Sequence, residues 1–487
     1  MEIQFENIRN DCVQMVAHDQ TVVHSEIDTA DRGGVRRLLS VSTEAVVQSA
    51  EAVAGEAHVY GRVNYKILYL DAEDKVCGLD YFGEFDFVLQ DERIAVGAVS
   101  ATVGVLDAEC TVADNVIKPQ AVIDVRLLQV VSHAAEVVVD AQCEVLRQPI
   151  EAVALTPVAE ASFEVVEEVE SRQAIDRVLL FDAHAVQTGT RAGLDSTTVE
   201  GKVYAQVIYR SQGELLTKDI VFDFAEQLDI EGDVDLSVSV RQSKLVLTGE
   251  DDNNILRVEM VLSVTGYRIA TTALDAVQDA YADGEDVVLS RDCFVCRRFE
   301  GMYARSERIV AEPSQLPDVG QVIAATVARI HVANYVAGEG QITAEGLAVA
   351  GILYLDTEGA MQAGEVEMPF SLSFAAEGVS PECVLAGEAV AMGVSATARG
   401  RIEMNVQLVV KSYCPTSVSY TTQIDVQPYD APQAVLSVYF APAGASLWQI
   451  AHAVHVSPAS LLAEDATLAD PSDEVRRVTV FRHRELR

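Results

Sequence analysis

GRVNYKILY (61–69), GKVYAQVIY (201–209) and GLAVAGILY (346–354) are one pattern met three times: a glycine, seven residues, then a tyrosine. In the first, Val63, Tyr65, Ile67 and Tyr69 share one face of an extended chain and Arg62, Asn64 and Lys66 the other, the period-two alternation of a half-buried β-strand. The second places Val203, Ala205, Val207 and Tyr209 inward, with Lys202 and Gln206 outward. In the third the outward positions are Leu347, Val349 and Gly351, so a face that is polar elsewhere is apolar here, and we expect a neighbouring domain or a partner to cover it. The recurring tyrosines are either a repeated ligand platform or a repeated core residue; sharing the phase of the inward Val and Ile favours the core.

The likeness extends beyond one strand. The copies start 140 and 145 residues apart, so each is domain-sized rather than a solenoid rung. Each continues into a phenylalanine pair, Phe85 and Phe87, Phe222 and Phe224, and, more widely spaced, Phe370 and Phe374. About fifty residues after each tyrosine comes a second alternating run: Ile123, Val125, Leu127; Leu256, Val258, Met260, Leu262; and Ile402, Met404, Val406, Leu408. Apolar residues also precede each copy, at Leu38 and Leu39, Val178 and Leu179, and Val322 and Ile323. Val-rich runs of period two broken by Gly, Asp and Asn predict a mainly β protein, three tandem antiparallel sandwich- or barrel-like repeats over 30–147, 172–285 and 316–427. Acidic, Pro-marked stretches at 148–170, at 279–286 continuing to Pro313 and Pro317, and at 428–442 read as the connections between them.

A net charge of −40, from 75 acidic against 35 basic residues, opposes non-specific binding to nucleic acid or anionic lipid and leaves protein partners open. MEIQFENIRNDC has neither the basic start nor the apolar run of a signal peptide, and no apolar stretch has the length of a membrane span, so we expect a cytoplasmic location without membrane insertion. In that compartment the eight scattered cysteines are expected to be reduced.

From Val438 the texture changes. VYFAPAGASLWQIAHAVHVSPASLLAED predicts a strand, a helix, a turn and a second helix, which Val478 to Phe481 close into a βααβ unit over 436–483. Leu447, Ile450, Ala451 and Val454 form a helical stripe, Ser446 and Gln449 have capping-box spacing, and Ser457-Pro458 are the N-cap and first residue of the next helix, with Leu461 and Leu462 facing the same core. Trp448, the one tryptophan, is of a type enriched at binding hot spots, or it packs beside the capping turn. Arg476, Arg477, Arg482, Arg484 and Arg487 are either a basic docking patch or a solvated tail.

Gly444-Ala445-Ser446-Leu447-Trp448-Gln449-Ile450-Ala451, Val456-Ser457-Pro458 and Leu461-Leu462 resemble a LysM module. Such modules bind N-acetylglucosamine glycans through the loops before the first and after the second helix, which implies Gly444, Ala445, Ser446, Trp448, Glu464 and Asp465 as partner- or glycan-binding residues. Ala445 stands where the family has Asp, and Asp465 where it has Asn. The upstream copies, through the Gly-x7-Tyr strand, the phenylalanine pair and Asp279-Ala280-Tyr281, resemble the SPOCS domain of spore-coat proteins. SPOCS repeats followed by LysM are similar to SipL-type morphogenetic proteins of endospore-forming Clostridia. That resemblance implies a mother-cell protein at the forespore surface, whose LysM module binds the coat's basement-layer ATPase.

Other constellations carry less. Cys293 and Cys296 have the spacing of half a zinc site without a second half, and His452 and His455 lack a third ligand. The acidic clusters at 250–254 and 283–286 lack the ligand spacing of a calcium loop and read as turns. P-loop, nucleophile-elbow and zincin motifs are missing. The expectation is a non-enzymatic scaffold without cofactor or metal, acting in spore-coat assembly through partner binding and self-association. The alternative is a peptidoglycan-binding protein, and a third reading, an enzyme, would require a pocket with convergent charged groups.

Overall fold

The structure, a computed structural model, describes residues 2–171, 173–249, 254–282, 285–311, 316, 318–396, 401–428 and 436–481. It is mainly β, built of several antiparallel sheets, with short helices near the C-terminus. In the first copy these are β1 (Ile3–His24), β2 (Ile27–Asp28), β3 (Arg37–Val53), β4 (Glu56–Leu70), β5 (Val76–Gln90), β6 (Val99–Ala113) and β7 (Val116–Ala141). β3, β4 and β5 form a meander, while β7 lies between β1 and β6, with β2 at its start. The second copy has β8 (Glu144–Pro157), β9 (Ala161–Glu170), β10 (Arg177–Ala192), β11 (Thr197–Ser211), β12 (Glu214–Leu228), β13 (Asp233–Thr248) and β14 (Ile255–Tyr281). The third has β15 (Glu285–Ala311), β16 (Val319–Gly338), β17 (Gln341–Asp356), β18 (Met361–Ala375), β19 (Val384–Ala396) and β20 (Ile402–Pro428). The order repeats: meanders β10-β11-β12 and β16-β17-β18, then β14 between β13 and the pair β8 and β9, and β20 between β15 and β19.

The stretches read as connections are therefore largely strands. β8 and β9 occupy most of 148–170 and pair in series with β14, taking the place that the single strands β1 and β15 hold in the other copies. In ASFEVVEEVE every second residue is exposed, three of these being Glu, so an acidic face disguised an edge strand as a linker. β15 begins at Glu285, whereas Pro313, Pro317 and 429–435 lie outside the described residues.

In each copy the meander packs its inward face on the other sheet. Val63, Tyr65, Ile67 and Tyr69 meet Ile123, Val125 and Leu127. Val203, Ala205, Val207 and Tyr209 meet Leu256, Val258, Met260 and Leu262. Ala348, Ala350, Ile352 and Tyr354 meet Ile402, Met404, Val406 and Leu408. Tyr65 and Tyr209 are core residues whose hydroxyls are satisfied, by the Val23 carbonyl at 3.2 Å and by Ser171 Oγ at 3.2 Å.

The recurring glycine and phenylalanine are partners. Gly61 lies opposite Phe85, Gly201 opposite Phe224 and Gly346 opposite Phe370. A Cβ on Gly61 would fall 2.4 Å from Phe85 Cζ and 2.5 Å from the Val46 carbonyl oxygen, and the other two sites are as tight. The ring covers the bare backbone across the ladder.

Near the recurring tyrosines the outward faces of the meanders are not left to solvent. Leu68, Ile208 and Leu353, each one residue before the recurring tyrosine, come together in a single buried cluster with Leu39, Leu179 and Ala324. Around it the copies contact one another in cyclic order. Lys66 of the first copy pairs with Asp182 of the second at 2.5 Å. Gln206, at the matching position of the second, donates to the Ala325 carbonyl of the third at 3.1 Å. Gly351, the matching position of the third, lies against Ser40 of the first, and Ser40 Oγ is 3.4 Å from Thr326 Oγ1. The apolar third face is thus covered from within the chain: Val349 and Gly351 are buried. Lys66 and Gln206 belong to these junctions rather than to a solvated face.

Cys383 and Cys414 form a disulfide, which corrects the expectation that all eight cysteines are thiols. The ladder places Val384 opposite Tyr413 and so brings the flanking cysteines side by side.

Candidate functional site

β21 (Leu436–Ala441), α1 (Leu447–Val454), α2 (Pro458–Glu464) and β22 (Arg476–Phe481) make the C-terminal unit, its strands pairing antiparallel. Both helix starts are as the spacing predicts. Ser446 Oγ accepts from the Gln449 amide at 3.3 Å while Gln449 Oε1 accepts from the Ser446 amide at 2.9 Å, and Ser457 Oγ accepts from the Ser460 amide at 3.2 Å. Ile450, Ala451, Val454, Leu461, Val478 and Val480 form the core.

Of the candidate residues, Gly444 sits at φ +78° with its amide bonded to the Ser472 carbonyl at 2.7 Å, so it turns the loop before α1 with open space around it. Ala445 follows, its amide bonded to the Pro442 carbonyl at 3.2 Å. Glu464 is exposed at the end of α2. Asp465 accepts from the Thr467 amide at 2.9 Å and from the Thr467 hydroxyl at 2.6 Å, which holds its carboxyl below the usual range. Its role here is to cap the turn at Ala466–Ala469.

Trp448 faces the repeat body. Its Nε1 donates to Asp279 Oδ2 at 2.8 Å and its ring meets Tyr281 edge-on at 5.2 Å. Tyr281, only 1% exposed at the end of β14, belongs to the core of the C-terminal unit and donates its hydroxyl to the Val456 carbonyl at 3.1 Å. His452 Nε2 lies 3.7 Å from Asp279. The second copy thus supplies the socket in which this unit sits. Asp279 and Tyr281 stand in the sequence at the end of an alternating run, and nothing local announces that their partner lies 169 residues on. The exposed side of the unit is its loops, together with the strand face of Leu436, Val438 and Phe440. Arg477 is exposed and Arg476 donates to the Thr467 carbonyl at 2.6 Å, whereas Arg482, Arg484 and Arg487 lie outside the described residues.

Cys293 is exposed and Cys296 buried on β15, so the two do not converge. The His452 and His455 rings stack at 6.3 Å. Residues 250–253, 283 and 284 of the acidic clusters lie outside the described residues. A small cleft where all three copies meet does gather charged groups, among them Asp11, Asp235, Arg297 and Arg298. Their partners are structural. Burial opposes the charge of Asp11, but Arg9, Ser132 and the Leu155 amide outweigh it and hold its carboxyl low. Asp235 binds Lys411 at 2.6 Å and Tyr413 at 2.8 Å, and Arg298 reaches Glu151 at 3.3 Å.

No protein-family model, curated protein or solved structure matches the chain.

Proposed function

We propose that this protein is a non-enzymatic scaffold of spore-coat assembly, in which three SPOCS-like antiparallel sandwiches form one body and present a LysM-like unit to a coat morphogenetic partner, the basement-layer ATPase. The observation that carries the reading is the seating of the unit on β14 through Trp448, Asp279 and Tyr281. A held module has its orientation set before it meets a partner, so less freedom is lost on binding. In this reading the loops at Gly444, Ala445 and Ser446 and at Glu464 and Asp465 make the contact, with the body at the mother-cell side of the forespore.

The peptidoglycan reading has less support, because Trp448, the aromatic surface a sugar would use, is engaged with Asp279 and Tyr281. The test is binding of purified coat ATPase to the full chain and to Ala445→Arg, at a half-buried loop position, and Glu464→Arg, at an exposed one, each checked for folding by circular dichroism, beside a pull-down on peptidoglycan. The scaffold reading expects the ATPase to bind and the two variants to weaken it at least about tenfold, about 1.4 kcal/mol. Retention on peptidoglycan with no ATPase binding would replace it by the glycan reading.

A further inference from the structure

The two sulfurs of the Cys383–Cys414 disulfide have unlike surroundings. Cys383 is buried, whereas Cys414 is half-exposed. The Ser380 amide donates to Cys383 Sγ at 3.2 Å, and the Ser380 hydroxyl lies 3.4 Å from the same sulfur. Both donors belong to the turn that leads into β19, closed by a bond from the Cys383 amide to the Ser380 carbonyl at 3.0 Å. An incoming thiolate therefore reaches the Cys414 sulfur more readily, and the sulfur it displaces is the one whose developing charge two donors stabilise. The bond also sits at a mechanical junction. On one face of β20, Val410 and Cys414 pack with Ala376, Val379 and Cys383 of the β18–β19 connection, which is tied to the β16–β17 turn by the Gly340 amide on the Val379 carbonyl at 2.9 Å. On the opposite face, Lys411 and Tyr413 hold the second copy: Lys411 Nζ bonds Asp235 at 2.6 Å and the Leu236 carbonyl at 2.7 Å, and the Tyr413 hydroxyl donates to Asp235 at 2.8 Å.

We infer that Cys383–Cys414 is a thiol-exchange latch, opened by a small thiol at Cys414 and coupled to the grip of the third copy on the second at Asp235. In the first step the thiolate of the small thiol attacks Cys414 Sγ. A mixed disulfide forms on Cys414, the bond between the two cysteines breaks, and its electron pair leaves on Cys383 Sγ beside the Ser380 donors. A second small thiolate then attacks the sulfur that came from the first, so Cys414 leaves as a thiolate and the small thiol departs as its own disulfide. The protein gains two electrons, and two protons once both thiolates are protonated; two small thiols lose them. Opening frees the β18–β19 connection from β20, and the stretch 411–414 that carries the bonds to Asp235 loses its covalent brace. The inference is independent of the coat partner and of the C-terminal unit.

The test uses the full-length protein, oxidised with glutathione disulfide, desalted and then titrated with reduced glutathione. Alkylation and peptide mass spectrometry are expected to find Cys383 and Cys414 protected before the titration, and the trapped mixed disulfide on Cys414 rather than Cys383. Ser380→Ala, checked for folding by circular dichroism, keeps the amide but loses the hydroxyl donor and is expected to open at least about threefold more slowly. Hydrogen exchange on the reduced protein is expected to rise at 411–413 and 235–237 and to stay unchanged in β3, β4 and β5. The double variant Cys383→Ser, Cys414→Ser should exchange like reduced wild type with or without glutathione. Both cysteines alkylating after the oxidation overturns the inference, as does a mixed disulfide on Cys383, a Ser380→Ala protein that opens at the wild-type rate, or exchange at 411–413 and 235–237 that ignores reduction.

Discussion

Gly61, Gly201 and Gly346 carry no side chain because a phenylalanine ring and a neighbouring strand's carbonyl already fill the place of one. Gly61→Val is therefore expected to lower stability by about 3 kcal/mol, the upper range for overpacking, and Gly201→Val by a similar amount, read from urea unfolding curves. His184 represents a different kind of residue-level control. It lies 3.1 Å from Asp182, which also holds Lys66, and 3.8 Å from Glu44 across the junction. Burial disfavours its charged form, but Asp182 and Glu44 prevail and push its pKa up to about 10. Because the folded pKa exceeds the unfolded value of about 6.5, its contribution is complete below that pH and is lost as pH rises towards the folded value. Wild type should thus lose stability between about pH 6.5 and 10 more steeply than His184→Gln, and parallel pH profiles for the two would contradict the assignment.

At the scale of elements, β14 serves two structures at once. Its first half is the centre of the second copy's sheet and its last residues are the socket for the C-terminal unit. The chain's one tryptophan lies in that socket and reports on it directly. Asp279→Ala removes the acceptor of the half-buried indole, at a cost of about 1 kcal/mol for a lost hydrogen bond. Its fluorescence is expected to shift to the red as water reaches the ring, with the far-ultraviolet circular dichroism of the β body unchanged; an unshifted spectrum would mean that the unit is held without this contact.

For the whole molecule the decisive feature is closure. Matching positions Lys66, Gln206 and Gly351 each face the next copy, and the third returns to the first, so these matching meander surfaces meet one another within the chain. The tightest point of the ring is Gly78, where a Cβ would fall 1.5 Å from the Leu179 carbonyl oxygen of the second copy. Gly78→Val cannot be accommodated without moving β5 from β10. Hydrogen exchange should show protection falling at these two strands while β7 and β14 stay protected, whereas uniform loss would point to global unfolding instead.

Much of this was legible in the sequence, and the limit is physical. Period-two alternation reports which face of a strand is apolar, so the three core strands, their inward tyrosines and the second run of each copy could be read locally, as could the caps of α1 and α2, whose bonds span three residues. The glycine and phenylalanine were visible as recurring residues, but not as each other's partners. β9 was hidden because its acidic face resembles a linker once its pairing strand, some ninety residues away, is out of view. Pairing of Cys383 with Cys414, the burial of Lys66 and Gln206, and the turning of Trp448 towards Asp279 depend on which surfaces meet after folding. The alternating core strands, their threefold recurrence and the helix caps follow from neighbours along the chain, so they are written in the sequence. How the copies close on one another, and which side of the C-terminal unit faces the body, depends on groups more than a hundred residues apart and is settled on folding.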